Sequence, residues 1–100
     1  MESTAFIKGV DKMDYRFKVV VQVKDSLSEE EKKQLLNKIN FLKKVLKLNQ
    51  INECEFVSQK VDNTDFSRVY GLFMQLEEMK EFFNKLEYYD YIDDEVEVAV

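Results

Sequence analysis

The sequence predicts an α+β domain of ferredoxin-like βαββαβ order, with one four-stranded sheet and two helices on one face. Three observations carry this. YRFKVVVQVK alternates apolar and polar residues with the period of a strand. DSLSEEEKKQLLNKINFLKKVLKLNQ repeats Leu35, Ile39, Leu42 and Leu46 at helical spacing. The cluster VDNTD then separates two strand-like runs, a hairpin signal.

Residues 1–14 carry Phe6, Ile7, Val10 and Met13 around Gly9 and are expected to form an arm on a single domain at 15–100, because chain ends fray unless tied down. In 15–24, Phe17, Val19, Val21 and Val23 fall on one face, and Arg16, Lys18, Val20, Gln22 and Lys24 on the other. A helix is predicted over 28–48. Ser28 and Glu31 fit a capping box. Glutamates in the first turn and Lys43, Lys44 and Lys47 at the far end complement the helix dipole. Phe41, Val45 and Leu48 make a second apolar stripe, to be covered by another part of the chain or by a partner.

Residues 53–61 alternate as a second strand. The stretch 66–73 reads as a third strand from its β-branched and aromatic content. A second helix follows at 75–89, with Leu76, Met79, Phe82, Phe83, Leu86 and Tyr89 on one face. The same region also admits one long helix over 65–89, capped by Thr64 or Asp65, in a βαβαβ order. Gly71, within a strand, would mark a bulge or close packing. In the last strand, 94–100, Val96, Val98 and Val100 oppose Glu95, Glu97 and Ala99.

The chain has no histidine and one cysteine, Cys54. Histidine-dependent triads are therefore excluded, as are an internal disulfide and a structural zinc site. Flanking glutamates disfavour a Cys54 thiolate. No run of about 18 apolar residues is present to span a membrane. MESTAFIKGVDKMD lacks the pattern of a signal peptide, so a cytoplasmic protein is expected.

The net charge of −5 is unevenly placed along the sequence, with a net +4 in residues 1–50 and −9 in residues 51–100. The segment EYYDYIDDEVEVAV concentrates the acids. Glu95 and Glu97 are expected to face the basic residues of the first strand across the sheet. Asp90, Asp93 and Asp94 fall in a turn that lacks the glycine and spacing of a calcium loop. No metal or other cofactor is expected. The lysines of the first helix lack interleaved aromatic residues, so nucleic acid is not the expected partner.

Candidate partner-binding residues follow from this layout. Tyr70 and Leu72 would form an apolar patch with Val20 and Val57 on the open sheet face. Phe41, Val45 and Leu48 offer the spare helix stripe, and Tyr88 and Tyr91 are interface candidates beside a core-facing Tyr89. No catalytic residue stands out. The expected function is a small non-enzymatic interaction module that pairs with itself or another protein, away from membranes.

In its order of elements over roughly 15–100, the chain resembles the dimeric α/β-barrel families, which pack two such sheets face to face. That resemblance implies an alternative: a dimer binding or converting a small apolar molecule, with Tyr70 or Tyr15 as polar handles. The acidic second half suggests another, an acidic viral or plasmid-type inhibitor that mimics nucleic acid.

Overall fold

The computed structural model describes residues 15–59 and 63–100. The expected arm lies outside the described residues, as do positions 60–62 of the expected turn. The elements are β1 (Phe17–Val23), α1 (Glu29–Leu46), β2 (Asn49–Asn52), β3 (Glu55–Val57), α2 (Phe66–Glu77), β4 (Phe83–Asp90) and β5 (Glu95–Val98). A 3-10 turn at Asn63–Asp65 leads into α2, and another at Lys80–Phe82 leads into β4. The five strands form one antiparallel sheet in the order β2-β3-β1-β4-β5.

The β1 and α1 expectations hold closely. Phe17, Val19 and Val21 are buried against the helices. The Ser28 hydroxyl accepts from the Glu31 amide, while Glu31 accepts from the Ser28 amide, completing the capping box. The helix ends at Lys47, whose φ of 57° is left-handed. Amides of Lys47 and Leu48 turn back onto the carbonyls of Lys44 and Lys43.

The strand expected at 94–100 is β5, although it pairs with β4 and not with β1. The middle of the chain departs from the four-stranded ferredoxin-like prediction. The expected strand over 53–61 is present as the short β3, and it forms a hairpin with the unexpected β2 through a turn at Glu53–Cys54. The Asn52 side chain accepts from the Cys54 amide at 2.8 Å and fixes that turn. This adds a strand on the β3 side of the sheet.

The larger correction exchanges two assignments. The expected strand at 66–73 belongs to helix α2, and the expected helix at 75–89 is α-helical only to Glu77 and is strand β4 from Phe83 onward. In α2, Val69, Leu72, Phe73 and Leu76 are all fully buried, at i, i+3, i+4 and i+7. Strict alternation from Val69 would instead turn Gln75 inward. Side-chain burial therefore outweighs the β propensity of single residues. Gly71 is helical, not a bulge. Asp65 precedes α2 but does not cap it; its carboxylate accepts from the Gln59 amide at 2.7 Å and pairs with Arg68 at 3.2 Å.

In β4, Phe83 and Leu86 are both fully buried although three residues apart. A bulge permits this. Val21 lies opposite Leu86 and Gln22 opposite Lys85, but Val23 lies opposite Phe83. Asn84 is the extra residue. The bulge mimics helical spacing in the sequence, and it makes Tyr88, not Tyr89, the inward tyrosine.

The helix α2 packs on β1 and β4, and α1 packs against α2. Their shared core holds Phe17, Phe56, Phe73, Leu76, Phe83 and Leu86, among others. Each such side chain contributes roughly 1.5–3 kcal/mol through removal from water. Among the described residues, no helix is long and apolar enough to cross a membrane.

Candidate functional site

The strongest candidate site is an aromatic and acidic cleft on the helix side of the sheet, between α2 and β5. Its position follows from the β4 bulge. Past Asn84 the strand alternates regularly, so Leu86, Tyr88 and Asp90 share the inner face with Phe17, Val19 and Val21. Register with β5 then sets Tyr88 beside Glu97 and Asp90 beside Glu95. While α2 packs over β1 and β4, all four residues of β5 remain exposed. The inner side of β5 is thus one wall of the cleft, and α2 is the other.

Tyr88 forms the floor. Its ring lies 5.0 Å from that of Tyr70 at an interplanar angle of 80°, and 6.4 Å from that of Phe66 at 78°. Phe66 and Tyr70 are stacked, 5.3 Å apart. The Tyr70 hydroxyl donates to both carboxylate oxygens of Glu97, at 3.0 and 3.1 Å, spanning from α2 to β5. That hydrogen bond pushes the Tyr70 phenol up from its ordinary pKa. Tyr88 is only 4% exposed, and its hydroxyl has no hydrogen-bond partner among the described residues. Burial, then the nearby Asp90 carboxylate, push its phenol strongly up, so it stays neutral at ordinary pH.

The space beside Tyr88, Glu95, Val96 and Glu97 measures about 430 Å³. Next to it, a recess of about 280 Å³ is bounded by Arg16, Phe17, Phe66, Asp90, Asp93 and Glu95. Arg16 closes that end. Its guanidinium donates to both Asp90 oxygens at 3.0 and 3.1 Å, and to Asp93 at 3.0 Å. Asp90 also accepts from the amides of Ile92 and Asp93, which shapes the β4–β5 turn. Burial alone would raise the Asp90 carboxyl, but Arg16 and these amides outweigh it and hold the group below its ordinary value. Asp90, Asp93 and Glu95 bring oxygens within 4.8 Å of one another, as a metal would require. Arg16 already supplies positive charge to two of the three.

The outer sheet face is different. The Lys18 ammonium lies 5.4 and 5.5 Å from the ring centroids of Tyr89 and Tyr91 and 3.3 Å from Glu55. Tyr89 donates to Glu87 at 2.6 Å. This cluster is internally paired.

The predicted residues scatter. Leu72 and Leu48 are in the core, and Tyr70 projects from α2 on the helix side, so neither Tyr70 nor Leu72 joins a patch with Val20 and Val57. Val20 and Val57 are buried, Tyr91 is half-buried, and Phe41 and Val45 are 65% and 59% exposed. Glu95 and Glu97 face α2, not the first strand's lysines; Glu55 takes that place beside Lys18. The structure brings Tyr70 and Tyr88 together. Sequence reasoning missed Phe66, Arg16 and Asp90 as their neighbours. The helical spacing of Phe66 and Tyr70 was visible, but the strand assignment hid it. Comparison with protein-family models, curated protein sequences and solved structures finds no match.

Proposed function

We propose that this chain is a small non-enzymatic interaction module that self-associates as a homodimer through the free edges of two β5 strands. One observation carries this reading: among the described residues, β5 ends the sheet with its apolar side chains and its unpaired backbone groups presented together. The Ala99 amide donates to the Leu86 carbonyl at 2.9 Å. In an antiparallel ladder the backbone groups alternate in direction, so Val96, Val98 and Val100 turn theirs to the free edge. The side chains of Val96 and Val98 lie on the outer face at 55% and 60% exposure, and Val100 is 47% exposed.

A two-fold axis through Val98 would place Val98 against its copy and Val96 against Val100 of the second chain. Glu97 would then oppose Ala99 instead of another glutamate, avoiding like charges across the seam. The edge carries no lysine and no proline, two devices that block edge pairing. The seam leaves the inner cleft open.

Light scattering at micromolar concentration tests this. The wild-type chain should have the mass of a dimer, and Val98→Lys that of a monomer with an unchanged circular dichroism spectrum. A wild-type monomer would overturn the reading. A dimer that survives Val98→Lys but dissociates with Phe41→Lys would move the interface to α1.

A further inference from the structure

We propose that the cleft between α2 and β5 binds an alkylammonium ion, with the Tyr88 hydroxyl accepting its N–H and Glu95 and Glu97 supplying countercharge. Three features of different kind converge on this ligand class. The rings of Phe66 and Tyr70 stack on each other and meet that of Tyr88 edge-on, forming one aromatic wall beside the carboxylates. Ring faces are negative and attract cations. Among the described residues, no lysine or arginine pairs with Glu95 or Glu97, because Arg16 is engaged by Asp90 and Asp93. Among the described residues, the Tyr88 hydroxyl is buried without a partner. Buried hydroxyls in folded proteins are nearly always satisfied, and an ammonium N–H would satisfy this one.

Other guests fit less well. Anions meet two carboxylates that no lysine or arginine of the described residues neutralises, and the negative ring faces. A neutral apolar molecule leaves both the Tyr88 phenol and the negative charge of the carboxylates unanswered. A bare metal ion is small for spaces of about 430 and 280 Å³ and makes no use of the rings. An ammonium on a short alkyl chain uses every group. Such a cation can come from a free amine or from a lysine side chain of another protein. The cleft lies on the inner face, whereas the proposed dimer seam uses the outer face and free edge, so either can fail alone.

The test is an NMR titration of the nitrogen-labelled full chain with butylammonium, tetramethylammonium and Nα-acetyl-lysinamide. Butylammonium should give saturable amide shifts in 66–70, at 88 and in 95–97. Glu97→Gln should weaken it about tenfold, as expected for loss of a charged partner. Tyr88→Phe should weaken butylammonium while leaving tetramethylammonium, which has no N–H, unchanged. The same spectra report whether each variant is folded. Binding of Nα-acetyl-lysinamide as tightly as butylammonium assigns a protein lysine; its exclusion assigns a free amine. Absence of saturable butylammonium shifts up to about 20 mM, or shifts indifferent to Glu97→Gln, overturns the proposal.

Discussion

Replacing Tyr88 by phenylalanine should stabilise the protein. The hydroxyl sits at a position 4% exposed and has no partner among the described residues. Leaving a buried hydroxyl unsatisfied costs about 1–3 kcal/mol. Phenylalanine removes that penalty and keeps the ring, with its contacts to Phe17 at 6.2 Å and Tyr70 at 5.0 Å. The missing oxygen leaves a void on the order of 10 Å³, worth about 0.2 kcal/mol at 24 cal/mol per Å³. The net expectation is a gain of about 1–3 kcal/mol. For a domain of this size that is a rise in Tm of roughly 4–24 °C. Urea denaturation followed by circular dichroism measures the first quantity, and a thermal scan the second. An unchanged or lowered midpoint would mean that the hydroxyl is satisfied in solution, and it would remove one of the three supports of the ammonium site. If the site is real, the same substitution makes the protein more stable and a poorer binder. Such a trade is common where a functional group is held in an unfavourable place.

Two further predictions test other parts of the fold. Gly71 is helical, and a methyl group added there would meet nothing within 4 Å. Gly71→Ala should therefore stabilise by about 0.5–1 kcal/mol in urea denaturation, through helix propensity alone; a loss of stability would favour a strand or a tight approach at that position. Asp90 has a carboxyl pKa lowered below the ordinary 3.8, with burial opposing and Arg16 and the Ile92 and Asp93 amides prevailing. Its contribution is present above the unfolded value and is lost as pH falls through the folded one. The urea midpoint of the wild-type chain should therefore drop below about pH 4 more steeply than that of Asp90→Asn, and parallel pH profiles would refute the assignment.

Much of the local structure is legible in the sequence. Val19 and Val21 with Lys18 and Gln22 prescribe β1 by alternation. Ser28 and Glu31 prescribe the start of α1, because both capping hydrogen bonds join residues three apart. The α+β class follows from such local patterns, as does the exclusion of histidine chemistry.

What the tertiary structure decided lies in 53–90. Phe83 and Leu86 carry helical spacing only because Asn84 is bulged, and that bulge is defined by pairing with β1, some sixty residues earlier in the sequence. Val69, Leu72, Phe73 and Leu76 have β-rich neighbours, yet they turn inward together only as a helix laid on β1 and β4. The candidate site depends on the same long-range choice. Tyr70 and Glu97 meet 27 residues apart, and Arg16 and Asp90 meet 74 residues apart. A sequence states which side chains prefer burial or charge. Which of them share a cleft depends on strand register, and here a one-residue bulge set that register and turned Tyr88 inward in place of Tyr89.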